Sequence, residues 1–208
     1  MKGKKMTNNK AIILLSGGLD SLVALSEAVK KYSIEYAIFF NYGQKAYKRE
    51  LKASEEFAQS YGIKTINIKL DWFENLIKDS KSDWVPNRNG VFINIAAAYA
   101  EQYDIQNIII GINREEAEDF KDNSKEFLDT INEQLKNSTQ NEVKVLAPLI
   151  NNTKEEIIKI GLNNSAPLEK IYSCYKDGER HCGECASCKL LKAALIKNGR
   201  KDLIDKLF

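Results

Sequence analysis

Residues 11–25 read AIILLSGGLDSLVAL, and this stretch decides how the rest of the chain is arranged. Residues 12–15 form a short apolar run without alternation, which is typical of a strand buried on both faces of a parallel sheet. The small residues at 16–18 favour a tight loop in which the backbone can approach a ligand. Leu22 and Leu25 then recur at helical spacing. The stretch therefore predicts a strand, a loop and the start of a helix.

The predicted loop at residues 16–18 is a candidate anion site, because free N–H groups at a helix N-terminus attract phosphate. Two other nucleotide loops do not fit, since G-x-x-x-x-G-K-[ST] needs a lysine and G-x-G-x-x-G a third glycine that this stretch lacks. Asp20 would repel a phosphate, so we interpret it as a contact to pyrophosphate bridged by Mg²⁺. The alternative is a helix capped by Ser16 or Asp20, which needs no ligand.

The length of 208 residues suits one α/β domain with a small appendage. Lysine and arginine number 31 and aspartate and glutamate 29, so the net charge of +2 gives no broad basic surface for a polynucleotide. We therefore expect no nucleic acid as the direct substrate. The apolar run after the lysine-rich start is too short for a signal peptide, and no stretch is long enough to span a membrane.

All four cysteines lie within residues 174–188, so they cannot link distant parts of a fold. A reducing cytoplasm and a metal site suit this clustering better than disulfides do. We divide the chain into a flexible N-terminal segment at residues 1–10 and an α/β domain at residues 11–165. A helical, metal-binding C-terminal segment at residues 166–208 is expected to pack on the same domain.

Further strands are predicted at residues 34–40, 63–70, 107–112 and 143–147, where apolar runs are separated by helical patterns. This alternation predicts an α/β fold with a doubly wound, mostly parallel five-stranded sheet. Ligands of such sheets gather at the carboxyl ends of the strands. Residues 71–88 are irregular, so we expect a lid or a partner surface there.

Several polar residues are expected near this edge of the sheet. Arg88 precedes a helix and is placed to hold a carboxylate or phosphate bidentately, unless it is an ordinary surface arginine. Asp119, Phe120 and Asp122 lie in an acidic stretch. It is either a solvated turn or a site whose aromatic face and carboxylates recognise a planar ring with an amidine-like edge.

Gly111 and Lys154 are two further candidates. Gly111 follows the fourth predicted strand, where the backbone must come close to a ligand or a neighbouring helix. Thr153 and Glu156 have the spacing of a capping box that starts a helix. Lys154 lies in the first turn of that helix, an unfavourable place for a cation unless it faces an anion, so we predict that it is a phosphate ligand.

Cys174, Cys182, Cys185 and Cys188 have the spacing C-x7-C-x2-C-x2-C. Four thiolates this close suit one tetrahedral zinc ion, which would have no open position for catalysis. An iron–sulfur cluster is the alternative, although the cysteine–proline pair of the ferredoxin pattern is missing and the fourth thiol lies upstream. His181 could replace a thiol, but with four cysteines present we expect it not to be a ligand.

The motif SGGLDS after an apolar strand is similar to the pyrophosphate loop of the ATP pyrophosphatase superfamily, whose members cleave ATP to AMP and pyrophosphate to activate a carbonyl or amide oxygen. Four more motifs are NYGQ at 41–44, VPNRN at 85–89, the segment 111–127, and SCY with CGECASC at 173–188. Together they resemble the 7-cyano-7-deazaguanine synthase family over nearly the whole chain. The chain departs from that pattern at Asn41, Asn87, Lys121 and Leu191, where aspartate, glycine, proline and arginine are common.

The resemblance implies conversion of 7-carboxy-7-deazaguanine and ammonia to 7-cyano-7-deazaguanine with two ATP, through an amide, on the route to queuosine or archaeosine. It also implies Mg²⁺ with ATP, one structural Zn²⁺ held by the four cysteines, a homodimer, and catalysis by Asp20 and Lys154. The implied ATP-binding residues are Leu15, Ser16, Gly17, Gly18, Leu19, Asp20, Ser21, Leu22, Val23, Ala24, Leu25 and Gly111. The implied substrate-binding residues are Tyr42, Gln44, Arg88, Asn89, Asp119, Phe120 and Asp122.

Three alternatives stay open at this point. A divergent relative would use the same adenylation to attach a deazaguanine to a protein. A tRNA-thiolating ATP pyrophosphatase would need a reactive sulfur-carrying cysteine or a cluster, together with a basic face. A zinc-stabilised binding module would have lost ATP turnover.

Overall fold

The computed structural model describes residues 9–77 and 85–208, and a five-stranded sheet lies at its centre. The strands are β1 (Lys10–Leu14), β2 (Ser33–Asn41), β3 (Lys64–Lys69), β4 (Asn107–Ile109) and β5 (Lys144–Leu146). Their order across the sheet is β3-β2-β1-β4-β5, and all neighbouring strands are parallel.

Helices connect the strands and cover both faces of the sheet. In the described ranges they are α1 (Leu19–Ala28), α2 (Tyr47–Ser60), α3 (Asp71–Ile77), α4 (Arg88–Gln102), α5 (Glu116–Asp119), α6 (Lys125–Ser138), α7 (Lys154–Asn163), α8 (Ala186–Lys197) and α9 (Lys201–Leu207). Two short 3-10 turns lie at Lys121–Asn123 and Leu168–Lys170.

Strand β1 lies in the middle of the sheet, and its side chains enter two different cores. Ala11 and Ile13 belong to the core formed with α1, α2, α7 and α8, whereas Ile12 belongs to the core under α4 and α6. All three side chains are fully buried. A strand covered on both faces has no position that faces water, which explains the uninterrupted apolar run in the sequence.

The sheet changes its direction of growth at β1. Strands β2 and β3 are added on one side of β1, and the chain then returns through α4 to add β4 and β5 on the other side. The carboxyl ends of β1 and β4 therefore flank a topological switch point, where ligands bind in sheets of this kind. The loop after β1 lies at this point.

Gly111 brings the end of β4 against the first turn of α1. A Cβ atom at this position would lie 2.6 Å from the backbone of Asp20 and Ser21, which is closer than side chains approach in proteins. Both obstacles are helix backbone and cannot rotate away. The sequence predicted that Gly111 allows close approach of either a ligand or a neighbouring helix. The structure shows the close approach of a neighbouring helix.

The C-terminal residues pack on the same body as the sheet. Helix α8 packs on α7, and α9 contacts the turn at Leu168–Lys170. The backbone N–H of Tyr172 donates a hydrogen bond of 2.9 Å to the carbonyl oxygen of Gly17. The segment before the cysteines is thus bonded directly to the loop after β1.

Several local features follow from the sequence. The predicted capping box is present, because Glu156 N–H donates to Thr153 Oγ1 at 3.2 Å and Thr153 N–H donates to Glu156 Oε2 at 2.8 Å. Asn87, where the resembled family commonly has glycine, has a φ of 52°, a left-handed conformation that asparagine adopts more readily than most residues. Leu191, where arginine is common, is buried in the core.

The predicted α/β class and its five strands are confirmed, and all five strands are parallel. The acidic stretch at 114–122 is not a simple loop, since it contains α5 and the start of a 3-10 turn. Residues 1–8 of the predicted flexible segment and residues 78–84 of the predicted lid or partner surface lie outside the described residues. Within the described part of the chain, no helix combines the length and apolar character needed to cross a membrane.

We expect Gly111→Ala to lower the free energy of unfolding by about 3 kcal/mol, because the new methyl group would overlap helix backbone. Urea denaturation measures this difference. Gly178→Ala is the control, since its Cβ would meet one carbonyl oxygen at 3.3 Å, and we expect a change within about 0.5 kcal/mol. Equal stabilities of the two variants would contradict the packing described here.

Candidate active site

Helix α1 receives no cap bond from the side chain of its own N-cap residue. Gly18 is the N-cap, and the backbone N–H of Leu19 donates a long bond of 3.3 Å to Ser173 Oγ. Ser16 Oγ accepts a long bond of 3.4 Å from Gly18 N–H, and Asp20 lies within α1, so the alternative in which either residue is the N-cap is wrong. Uncapped N–H groups at the start of a helix are suited to an anion.

The loop before α1 keeps its shape through its own residues. Gly17 has a φ of 85°, which lets the chain turn sharply out of β1. Ser16 Oγ donates to Ser21 Oγ at 3.1 Å, and Ser21 Oγ donates to the carbonyl of Gly18 at 3.0 Å. Several residues of the predicted ATP site have side chains buried in the core, so only their backbone could meet a ligand: Leu15, Leu19, Leu22, Val23, Ala24 and Leu25.

Lys154 binds two carboxylates beside this loop. Its ammonium forms an ion pair with Asp20 and another, at 2.8 Å, with Glu116. Asn113 completes the group, because its amide nitrogen donates to Asp20 Oδ2 at 3.3 Å and its amide oxygen accepts from Glu116 N–H at 3.0 Å. Lys154 does face anions, as its position predicted, and those seen here are carboxylates of the chain itself. Asp20 and Lys154, both predicted site residues, are thus in direct contact.

Burial and charge act in opposite directions on this group. Burial raises the pKa of Asp20 to about 6, since Lys154 only partly offsets the loss of water. Burial also raises the pKa of Glu116. Lys154, together with Asn113 and Arg88, lowers it by more, so the pKa of Glu116 ends below its ordinary value. For Lys154, burial lowers the pKa and the two carboxylates raise it by more. One positive charge therefore lies between two carboxyl groups, which favours the approach of a further cation.

Asp20 has an oxygen free for such a cation. Its Oδ1 is buried and has no hydrogen-bond partner in the described residues. A buried acceptor without a partner is costly, and a divalent cation that prefers oxygen ligands would satisfy it. A carboxylate oxygen next to a loop of N–H donors fits Mg²⁺ carried by a nucleotide.

Tyr42 and Arg88 form another side of the site. Arg88, the first residue of α4, donates from Nη1 to the Tyr42 hydroxyl at 3.4 Å, and its guanidinium lies 5.9 Å from the centre of the Tyr42 ring. Arg88 is partly buried and is therefore not an ordinary surface arginine. Burial raises the pKa of Tyr42, so its hydroxyl stays protonated.

Gln44 holds the turn after β2 together. Its Nε2 donates to the carbonyl of Phe40 at 2.9 Å and to Glu50 Oε2 at 3.0 Å, and its Oε1 accepts from Tyr42 N–H at 2.9 Å. Both ends of the amide are thus occupied within the chain. Both N–H donors of the amide are in use, so a substrate could bond to Gln44 through the second lone pair of Oε1, whereas a bond donated by Nε2 would require an existing bond to break.

Asn89 and Asp122 are bonded to each other. The backbone N–H of Asn89 donates to Asp122 Oδ2 at 3.3 Å, and its side-chain amide donates to the Asp122 carbonyl at 3.0 Å. This pair supports the start of α4 and thereby Arg88. Asp119 lies exposed at the end of α5, and Phe120 next to it is half-buried. Of the three residues predicted in this stretch, only Asp122 is buried.

The four cysteines meet at one point. The Sγ atoms of Cys174, Cys182, Cys185 and Cys188 all lie within 4.8 Å of one another. Backbone N–H groups of Glu184 and Cys185 donate to Cys182 Sγ at 3.4 Å and lower the pKa of that thiol to about 6. Thiolate ligands arranged in this way could hold a metal ion.

His181 is held by backbone groups and does not point its nitrogens at the cysteines. Its Nε2 accepts from Ser173 N–H at 3.0 Å, and its Nδ1 lies 3.2 Å from the carbonyl of Leu207. Burial lowers its pKa, so the ring is neutral and can accept from Ser173. This geometry agrees with the expectation that His181 is not a ligand, and it gives the residue a role in positioning Ser173.

The sequence did not single out Glu116, Asn113, Ser173 or Glu50. Glu116 was one of five carboxylates in the acidic stretch, and nothing local distinguishes it. Asn113 follows β4 at the edge of the sheet where ligands gather, so its position could have indicated that it belongs to the site. Ser173 precedes the first cysteine, and only the tertiary fold brings it to the loop.

Solved structures share this fold. The U34-tRNA thiolase NcsA from Methanococcus maripaludis, solved with its [4Fe-4S] cluster, matches at 21% identity with a TM-score of 0.56, over 96% of this chain and 70% of that one. NMN synthetase from Francisella tularensis matches at 17% identity with a TM-score of 0.57, over 97% and 83%. At these identities the likeness concerns the fold alone. The chain shares the parallel α/β fold of these nucleotide-related enzymes only at the level of architecture.

A family model described as Queuosine biosynthesis protein QueC matches residues 10–83 and 77–199. The 7-cyano-7-deazaguanine synthase of Methanosarcina mazei is 43% identical over 229 residues, covering 95% of this chain and 99% of the relative. The enzyme of the same name from Carboxydothermus hydrogenoformans is 43% identical over 209 residues, covering 89% and 97%. The chain belongs to the QueC family of 7-cyano-7-deazaguanine synthases.

We expect Lys154→Met to lower the free energy of unfolding by about 3 kcal/mol near neutral pH, because it leaves Asp20 and Glu116 buried without their cation. Without Lys154 the folded-state pKa of both carboxyl groups should lie above the unfolded-state value. Stability from such groups is present at low pH and is lost as the pH rises, so the deficit of the variant should be smaller at about pH 5 than at about pH 8.

Urea denaturation at both pH values measures this deficit. Lys159→Met, an exposed position on the same helix, is the control, and its stability should change little at either pH. A deficit for Lys154→Met that is absent, or that grows as the pH falls, would contradict the charge arrangement.

Proposed function

We propose that the chain catalyses the ATP-dependent conversion of 7-carboxy-7-deazaguanine and ammonia to 7-cyano-7-deazaguanine, a reaction of the ligase type. The observation that carries this proposal is the SGGLDS loop at the switch point of the sheet, where the N-cap of α1 is a glycine and Asp20, Lys154 and Glu116 lie beside it. The names of the curated relatives support the same reaction and do not favour the protein-attaching, tRNA-thiolating or non-catalytic alternatives.

The reaction explains why the loop needs free donors. A carboxylate expels oxide poorly, so its oxygen first attacks the α-phosphorus of ATP, and pyrophosphate leaves toward the N–H groups of the loop. Ammonia then displaces AMP from the acyl adenylate and gives the amide. The amide oxygen attacks a second ATP, and loss of AMP together with the remaining N–H protons leaves the nitrile. Positioning and charge stabilisation suffice, and no protein nucleophile is required.

Asp20 and Lys154 are the proposed catalytic pair. Asp20 would hold Mg²⁺ through its unpartnered Oδ1, and the ion would supply positive charge to the phosphates. Lys154 would orient Asp20 and stabilise the charge on the leaving pyrophosphate. Glu116 keeps the ammonium in place from the other side. The loop backbone and Gly111 would complete the ATP site.

The deazaguanine is proposed to bind between the loop and Arg88. The guanidinium has donors left for the substrate carboxylate after its bond to Tyr42, and the Tyr42 ring offers a face to a planar heterocycle. Phe120 and Asp119 are proposed contacts for the same ring. A homodimer, a cytoplasmic location and a product that feeds archaeosine stay predictions.

We infer that the four cysteines hold one zinc ion. Four thiols at mutual distances below 4.8 Å suit a tetrahedral site in which the protein supplies every ligand. Such a closed site is structural, and here it would hold the C-terminal segment against the loop. An iron–sulfur cluster is the competing occupant, and analysis of the metal separates the two.

The function is tested by incubating the purified protein with ATP, Mg²⁺, ammonium and 7-carboxy-7-deazaguanine, and by measuring product masses. We expect the mass of the nitrile, formed only when ATP and ammonium are both present. A protein substrate that gains the deazaguanine mass, or ATP turnover without any nitrile, would contradict the proposal.

We expect Asp20→Asn to abolish ATP turnover while the protein stays folded. An asparagine keeps the size of the side chain but lacks the negative charge needed for the metal. Pyrophosphate release and thermal unfolding are measured on the same preparation. Asp129→Asn, at an exposed position of α6, should behave as the parent. Near-normal turnover of Asp20→Asn would contradict the role of this carboxylate.

We expect the purified protein to be colourless, with about one zinc per chain. Cys185→Ser should release the ion and lower stability by several kcal/mol, because structural zinc contributes on the order of 10 kcal/mol to folding in small sites. Elemental analysis and denaturation measure both effects, and Ser187→Ala is the neighbouring control. Brown protein containing iron would contradict the zinc assignment.

A further inference from the structure

Glu50 is an acidic residue beside the loop to which the proposed reaction has so far given no role. It lies in the first turn of α2, and its backbone carbonyl lies directly against Gly17, where no Cβ atom would fit. The first turn of α2 and the phosphate loop are therefore in van der Waals contact. A side chain that leaves this turn starts within a few ångströms of the loop.

The carboxyl group of Glu50 is held in place by one hydrogen bond, and its second oxygen is available to a ligand. Its Oε2 accepts from Gln44 Nε2 at 3.0 Å, and Gln44 is itself fixed by the backbone of Phe40 and Tyr42. In the part of the chain that the structure describes, no donor is bonded to Oε1 of Glu50. The side chain is partly exposed. One oxygen is thus held in place, and the other can meet a ligand.

The charged and titratable groups near Glu50 come from the adjoining elements. Arg88 at the start of α4 acts on it electrostatically, and the Tyr42 hydroxyl at the end of β2 is close enough to be affected by its charge. Burial raises the pKa of Glu50 to about 7, more than Gln44 and Arg88 lower it. A carboxyl group of this kind can take up and release a proton at neutral pH.

The proposed reaction needs such a group. When ammonia attacks the acyl adenylate, its lone pair forms the C–N bond, the C–O bond to AMP breaks, and the bonding electrons leave on a phosphate oxygen of AMP. The nitrogen is then positively charged and must lose one proton to become a neutral amide. Lys154 and Arg88 are cations and cannot accept it, and Asp20 is paired with Lys154 and is the proposed ligand of Mg²⁺.

We propose that Glu50 is the proton acceptor for the nitrogen of the attacking ammonia, with Gln44 as the residue that positions it. This inference rests on the proposed function, because it assigns one step of that reaction. The step balances in atoms and charge, because acyl adenylate and ammonia give amide, AMP and one proton. Glu50 takes up this proton and later releases it to water.

The test uses Glu50→Gln, which has the same shape and can still accept the bond from Gln44. We expect amide and nitrile formation to fall about 100-fold, a typical effect of losing a general base. Exchange of labelled pyrophosphate into ATP that depends on 7-carboxy-7-deazaguanine should be unchanged, because adenylation precedes the proton transfer. Glu55→Gln, exposed on the same helix, should match the parent in both assays.

Hydroxylamine provides a second readout that a merely structural role would not affect. Its nitrogen is less basic than ammonia and loses its proton to water more readily after attack, so the variant should form the hydroxamate at a rate close to that of the parent. With ammonia, the acid limb of the rate should lie near pH 7 in the parent. In Glu50→Gln, measured at a constant concentration of free ammonia, this limb should disappear.

Two results would overturn the inference. Pyrophosphate exchange that falls as much as amide formation would make Glu50 a binding or structural residue. An unchanged rate with ammonia would mean that another group accepts the proton. Both differ from failure of the proposed function, in which the parent protein itself makes no nitrile.

Discussion

The buried ammonium of Lys154 joins parts of the chain that are far apart in sequence. Asp20 belongs to α1, Glu116 to α5 and Lys154 to α7, and the three side chains meet where the sheet changes direction. Removing one member of a buried ion group leaves the others uncompensated, so the three depend on one another. The same group leaves Oδ1 of Asp20 without a partner. The ion pairs of Lys154 that hold this edge of the sheet together thus also leave one oxygen of Asp20 available to a cation.

The cysteine segment is part of this edge. A chain of contacts leads from the cysteines to the loop, since His181 accepts from the backbone of Ser173, and Ser173 Oγ accepts from Leu19 at the start of α1. The backbone of Tyr172 adds a bond to Gly17. A structural metal would therefore act on catalysis indirectly, by holding Ser173 against the first turn of α1. This gives a physical reason for the proposed closed metal site to lie beside the proposed ATP loop.

Much of this architecture could be predicted from local sequence. Apolar runs separated by helical patterns indicated the strands, and the first-turn position of Lys154 indicated that it faces an anion. Glu116 and Ser173 could not be predicted, because their roles arise from contacts across the fold and their neighbours in sequence resemble any polar stretch. Asp119 was selected for its charge, but exposure is set by how α5 packs, which no local pattern encodes.

In the proposed reaction, this edge of the sheet uses ATP to activate first a carboxylate oxygen and then an amide oxygen. Substrate labelled with ¹⁸O at both carboxylate oxygens tests it directly, since each adenylation should transfer one oxygen to AMP. We predict one ¹⁸O in every AMP released, two labelled AMP molecules for each nitrile, and no label in pyrophosphate or water. Label in water, or unlabelled AMP formed together with the nitrile, would contradict the account.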